Sequence, residues 1–94
     1  MESLTVIFRA DKAGRHKGEV TAIFPTLPWN NAGDLTAYAH IGQHGAASLA
    51  WYYADTRPAR PDEFAPLLRE LQQIYAPTRL DVRKRMPARE SHNA

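Results

Sequence analysis

Leu35-Thr36-Ala37-Tyr38-Ala39-His40-Ile41-Gly42-Gln43-His44-Gly45-Ala46-Ala47-Ser48-Leu49-Ala50-Trp51-Tyr52-Tyr53-Ala54 holds two alternating runs parted by glycine, and the architecture of the chain follows from how those runs fold. Leu35, Ala37, Ala39 and Ile41 alternate with Thr36, Tyr38 and His40, the period-two pattern of a strand. Gly42 and Gly45 flank Gln43 and His44, and glycines so placed allow positive φ and close backbone approach, so the spacing predicts a tight turn over Gly42-Gln43-His44-Gly45. Alternation resumes from Ala46 or Ala47 to Ala54. Leu49, Trp51 and Tyr53 then share one face and Ser48, Ala50 and Tyr52 the other, which predicts a second strand of the same hairpin with large rings on both sides.

The flanking segments extend this sheet. Leu4-Thr5-Val6-Ile7-Phe8-Arg9 is rich in β-branched and aromatic residues and predicts a first strand, with Leu4, Val6 and Phe8 on one face and Thr5, Ile7 and Arg9 on the other. Its apolar content on both faces predicts cover on both sides for part of its length. Asp11 to Gly18 is a polar hairpin loop. Glu19 to Phe24 is a second strand, ended by Pro25, which lacks the ladder donor. Pro25 to Asp34 is a proline- and asparagine-rich loop carrying Trp29.

After a loop at Thr56-Arg57-Pro58-Ala59-Arg60-Pro61 comes the one stretch with helical periodicity: Phe64, Leu67, Leu68, Leu71, Ile74 and Tyr75 form an apolar stripe. Pro61, Asp62 and Glu63 suit its first turn. Pro66 predicts an irregular first turn or a later start, and Pro77 ends the helix by disfavouring helical geometry before it. Thr78 to Arg85 is a last strand with Leu80 and Val82 inward and Arg79, Asp81, Arg83 and Arg85 outward. The expected fold is α+β: two layers, an antiparallel sheet of about four to five strands with one helix packed on one face, in the order β-β-β-β-α-β. Residues 4–86 make a single domain and residues 87–94 a flexible C-terminal tail.

The chain has 94 residues, 44% hydrophobic and 23% charged, with no cysteine and a formal charge of +2. A domain of this size buries roughly 60 to 65% of its unfolded surface, so its core is thin and leaves little room for an internal cofactor; none is expected. Absence of cysteine excludes disulfides, thiolate metal sites and cysteine nucleophiles. No basic leader precedes an apolar run, and no segment approaches the ~18 apolar residues of a membrane span, so a soluble, cytoplasmic protein without membrane contact is expected. Charge is concentrated at the ends. Arg9, Lys12, Arg15 and Lys17 lie near the N-terminus and Arg79, Arg83, Lys84, Arg85 and Arg89 near the C-terminus, while the middle is net acidic.

Three site hypotheses follow. His40 and His44, four apart, invite a metal reading with His16, Asp34 or Asp55 as third ligand, or a general acid–base role. The glycines and the missing third ligand favour instead histidines that hydrogen-bond locally or touch a partner. Ser48 beside His44 lacks a nucleophile elbow and an oriented acid, and Gly42 to Gly45 lacks phosphate-loop spacing. The first expectation is therefore a non-enzymatic binding protein contacting a protein partner through His40, Gln43, His44 and Trp29, tryptophan being a frequent carrier of interface energy. The second is a nucleic-acid-binding module whose basic face comprises Arg9, Arg79, Arg83, Lys84 and Arg85, with the last strand beside the first. The third is a small hydrolase dependent on histidine or on a metal held by His40 and His44. An open sheet edge also admits a homodimer.

Val6-Ile7-Phe8-Arg9, Ile23-Phe24-Pro25, Ala39-His40-Ile41-Gly42-Gln43-His44-Gly45 and Val82-Arg83-Lys84-Arg85 together resemble a group of small uncharacterised bacterial proteins often found on phage and other mobile elements. The resemblance spans residues 4–86. It implies a stand-alone accessory protein, brings no activity with it and assigns no residue a role.

Overall fold

The computed structural model describes residues 3–39 and 43–86. Its centre is β1 (Ser3–Asp11), whose Val6 to Ala10 are buried without interruption. β2 (Val20–Pro28) lies antiparallel on one side, followed by β3 (Leu35–Ala39) and β4 (Gln43–Ala47), each antiparallel to the last. On the other side β1 takes two partners end to end. Arg9 to Asp11 pair antiparallel with β5 (Thr56–Pro58), and Ser3 to Ile7 pair in parallel with β6 (Arg79–Arg83). The result is a six-stranded sheet in the order β4-β3-β2-β1-β5, with β6 also on β1. The fold is α+β, as the periodicities predict, with two short elements that they do not: β5 and the helix α1 (Leu49–Asp55).

The second helix, α2 (Pro61–Tyr75), covers one face. Its Leu67 and Leu71 enter a cluster with Val6, Phe8, Ala10, Phe24 and Tyr38, and its Phe64, Leu68 and Tyr75 pack against that cluster together with Leu80. Phe8 and Phe64 stack at 4.4 Å between ring centres. Each large side chain buried in this way contributes about 1.5–3 kcal/mol. Leu80 takes the inward position assigned to it, whereas Val82 on the same side remains 38% exposed beyond the helix.

The first turn of α2 departs from expectation. It is regular from Pro61, because the Arg60 N–H donates to Glu63 Oε1 at 2.8 Å and the Glu63 N–H to the Arg60 carbonyl at 2.8 Å. Arg57 clamps the same carboxylate through both terminal nitrogens, at 2.9 and 2.8 Å, and these donors hold the Glu63 carboxyl at about 2. Pro66 is exposed within the helix. The one N–H it lacks would have met the Asp62 carbonyl, at an exposed residue that water reaches.

Two further boundaries are corrected. β2 does not stop at Pro25: it continues to Pro28 across a register shift between Phe24 and Pro28, and such an irregularity accommodates a residue without a ladder donor. The turn assigned to Gly42 to Gly45 is not one either. His44 and Gly45 sit in β4 opposite Tyr38 and Ala37, and His40, Ile41 and Gly42 lie outside the described residues. The segment 87–94, expected as a tail, also lies outside them.

The largest correction concerns Ala46 to Ala54. The strand ends at Ala47, Ser48 caps a helix, and Trp51, Tyr52 and Tyr53 lie on α1. The Ser48 hydroxyl accepts the Trp51 N–H at 3.1 Å, satisfying a donor that the first helical turn leaves free. Ring-rich composition favours strands, but here it is overridden by that cap and by burial of Tyr52 against the sheet.

Strand alternation gives the second face to Ile7 and Arg9 of β1, Thr21 and Ile23 of β2, Ala37 and Ala39 of β3, and Gly45 and Ala47 of β4. Ile7, Ile23, Ala37, Ala47 and Tyr52 form its cluster, with Trp51 and Met86 packed against it. β1 is thus covered on both sides, as its composition predicts. Among the described residues no helix is long and apolar enough to cross a membrane.

Candidate functional site

Seven residues make a helix too short to persist by itself, and α1 is held at both ends. Ser48 caps the start. At the other end its carbonyls meet cations and hydroxyls from β1, β5 and the adjoining loop. Arg9 Nη2 donates to the Tyr52 carbonyl at 3.3 Å and to the Thr56 carbonyl at 2.8 Å, Arg9 Nε donates to Thr56 Oγ1 at 2.9 Å, and Thr56 Oγ1 donates to the Tyr52 carbonyl at 2.6 Å. Lys12 Nζ reaches the Ala54 carbonyl at 3.2 Å and the Lys12 N–H the Asp55 carbonyl at 3.0 Å. Positive charge at a helix C-terminus is favourable. Arg9 is 9% exposed, and its guanidinium lies 4.3 Å from the centre of the Tyr52 ring. Burial pushes the Tyr52 phenol above its ordinary range, and Arg9 partly opposes that shift.

Around this anchor lies an open depression of about 620 Å³, lined by Arg9, Tyr52, Tyr53, Pro58, Ala59, Arg60, Lys84, Arg85 and Met86. Among the described residues no carboxylate is in its lining. Arg60 is drawn toward Asp62 at 3.2 Å and Glu63 at 3.6 Å, whereas Lys84 and Arg85 are exposed and form no ion pair among the described residues. Tyr53 is 63% exposed and meets Tyr52 edge to face, with ring centres 4.8 Å apart. Tyrosine rings on a helix thus lie among cations from β1, the β5–α2 connection and the segment after β6.

Of the basic residues singled out in the sequence, the structure brings Arg9, Lys84 and Arg85 to this depression. β6 does lie beside β1, and its register sets Arg79 and Arg83 on the same face as Arg9. They are not one exposed stripe, however. Arg9 is buried with its Nε and Nη2 donors engaged by Thr56 and Tyr52, and Arg83 Nε is paired with Asp81 at 2.9 Å. Tyr52, Tyr53, Arg60 and Met86 were not foreseen. The Ser48 cap was the available signal, since a helix starting there exposes Tyr53 while burying Tyr52.

The residues expected to touch a protein partner are not gathered into one surface. His44 points to the α2 side, where its Nε2 and the Tyr75 hydroxyl share a hydrogen bond of 2.8 Å and its ring meets Tyr38 edge to face at 4.8 Å. The Tyr38 hydroxyl donates to Glu70 Oε2, and that carboxylate raises the Tyr38 phenol above its ordinary range; burial does the same to Tyr75. His44 therefore braces β4 against α2. His40 lies outside the described residues, and Gln43 opposite Ala39 opens β4. Trp29 sits beyond the other end of β3, 47% exposed, on a loop fixed by Asn30. Asn30 Oδ1 accepts the Ala32 and Asp34 N–H groups at 2.9 and 3.2 Å, the Trp29 N–H donates to the Asp34 carbonyl at 2.9 Å, and Gly33 supplies the positive φ of the turn.

A second depression of about 510 Å³ lies across the same face, floored by Ala37, Ala39, Gly45 and Ala47, with Trp51, Asp34 and Ser48 among its walls. Among the described residues no group of three or more histidines and carboxylates could hold a metal ion. Comparison of the chain with protein-family models, with curated proteins and with solved structures gives no match.

Proposed function

We propose that this protein is a non-enzymatic nucleic-acid-binding module that takes the phosphate backbone into the depression beside α1. The observation that carries the reading is the convergence of Arg9, Arg60, Lys84 and Arg85 on one open surface whose lining, among the described residues, has no carboxylate. Arginines and lysines without carboxylate partners attract phosphates and release their counterions, and this supplies most non-specific nucleic-acid affinity. The roles divide by burial. Arg9 fixes the floor and holds α1, while Lys84 and Arg85, exposed and unpaired among the described residues, make the phosphate contacts. A cytoplasmic location suits such a ligand.

Fluorescence anisotropy with labelled DNA and RNA, between roughly 50 and 200 mM salt, tests this. Binding should weaken steeply with salt. The variant with both Lys84→Ala and Arg85→Ala should flatten the log–log slope by about 2, close to one per lost contact. No binding at the lowest salt, or binding indifferent to salt, refutes the reading.

Trp29 supports a second reading, a protein contact, because a tightly held loop presents a half-exposed indole at little entropic cost. Under it, Trp29→Ala removes a co-purifying partner without moving the urea midpoint. Retention of that partner by the variant excludes this contact.

A further inference from the structure

Resting on the nucleic-acid reading, we infer that Tyr53 is a base-stacking platform and that the site takes single-stranded nucleic acid in preference to duplex. A tyrosine left 63% exposed beside a sheet with apolar surface still to cover calls for a role, and its setting supplies one. Tyr53 is the outermost ring of a short pile: Arg9 lies over Tyr52 at 4.3 Å, and Tyr52 meets Tyr53 edge to face at 4.8 Å and 77°. Tyr52 is 3% exposed and cannot rotate away, so Tyr53 has a fixed ring to rest against. Lys84 and Arg85 share the same depression.

This pairing of an outward ring with cations that are unpaired among the described residues is what a single strand requires. Its bases are free to turn onto an aromatic face while its phosphates track the positive charge, and stacking tolerates any base because each has a π face. A duplex keeps its bases stacked on one another and can use the cations alone. The ring therefore distinguishes the two forms.

The test compares a labelled oligothymidine with a blunt duplex of equal length, using the intact chain. Wild-type protein should bind the single strand more tightly at every salt concentration. Tyr53→Ala should weaken single-strand binding by about 5- to 150-fold, the range expected when one stacked base is lost, and leave both the salt slope and duplex binding unchanged. Tyr53→Phe, which keeps the ring, should restore wild-type affinity. An unchanged urea midpoint in Tyr53→Ala shows that the loss is not one of folding.

Equal affinity for the two forms, a Tyr53→Ala variant that binds oligothymidine as wild type does, or equal affinity for poly-glutamate overturns the stacking proposal. The first two leave the phosphate-binding reading standing. Failure to bind either nucleic acid at low salt sinks that reading as well.

Discussion

Arg9→Met should destabilise the fold by about 2 to 3 kcal/mol, and the figure can be built from the contacts. The guanidinium makes two bonds of 2.8 and 2.9 Å to Thr56 and a longer one of 3.3 Å to the Tyr52 carbonyl. Hydrogen bonds from a charged donor contribute roughly 1.5–3 kcal/mol each, and a desolvated cation–π contact adds about 1–2 kcal/mol. Against these stands the desolvation of a buried cation, several kcal/mol, which methionine relieves. Thr56 is 1% exposed, so its carbonyl is left short of a partner, whereas the Tyr52 carbonyl keeps the Thr56 hydroxyl. The balance is a moderate loss. A domain of this size holds about 5–14 kcal/mol in total, so the variant still folds. With a urea m-value of about 1 to 1.5 kcal/mol/M, the midpoint in equilibrium denaturation followed by circular dichroism should fall by about 2 M at unchanged m. Arg9→Lys should recover less than half, because an ammonium cannot reproduce the planar fork that reaches Thr56 by two nitrogens. A midpoint within about 0.3 M of wild type in Arg9→Met would refute the reasoning, since packing and not the cation would then hold α1.

Glu63 sets an acid limb of stability. Its carboxyl lies at about 2, depressed chiefly by the hydrogen bonds from Arg57 and then by that from the Arg60 N–H. A depressed carboxyl stabilises the fold above its unfolded pKa of about 4.3, and that contribution is lost as pH falls from there toward 2. Urea midpoints measured across this range should drop more steeply for wild type than for Glu63→Gln. His44→Ala and Tyr75→Phe should each cost about 1 kcal/mol, and the double variant little more than either, since both break the same bond; full additivity in that cycle would show the bond to be idle. Ser48→Ala should cost about 1 kcal/mol and Ser48→Gly only a few tenths, read as urea midpoints, because glycine tolerates the cap conformation better.

Where one periodicity was set by one packing surface, the sequence was legible. The stripe from Phe64 to Tyr75 has a single face to bury and appears as α2, ending before Pro77 as expected but starting regularly at Pro61 where Pro66 had suggested otherwise. The cover on both faces of β1 was readable because both of its sides carry apolar residues, whereas its central place in the sheet was not. The stretch after Gly45 failed for a physical reason. Trp51, Tyr52 and Tyr53 carry strand propensity, yet three consecutive rings have no period, and local preference yields to a capped turn when the sheet can bury one of them. Arg9 was misplaced for a related reason: alternation assigns a residue to a face but does not say whether that face is covered. The phosphate-binding candidates Lys84 and Arg85 were visible as charge, but their partner Tyr53 became visible only once α1 was a helix.

The two faces of the sheet differ in what they leave open, and the proposed site lies on the more open one. The α2 face is closed by a helix of 15 residues whose leucines and aromatics fill it, with His44 and Glu70 tying tyrosines at its rim. The opposite face presents Ala37, Ala39, Gly45 and Ala47 to a helix of only seven residues, which cannot span it and leaves a depression on either side. A thin domain gains stability by covering such a surface, so a short helix there forgoes burial that a longer one would supply. Polar contacts hold α1 where it is: the Ser48 cap, the two Lys12 contacts and the buried Arg9 fix seven residues of which Tyr52 and Trp51 enter the apolar cluster of that face. Packing of Tyr52 and Trp51 accounts for the inner side of α1 but not for Tyr53, which stays outward. Its placement is accounted for if the task of α1 is to hold Tyr52 rigid and Tyr53 outward among cations.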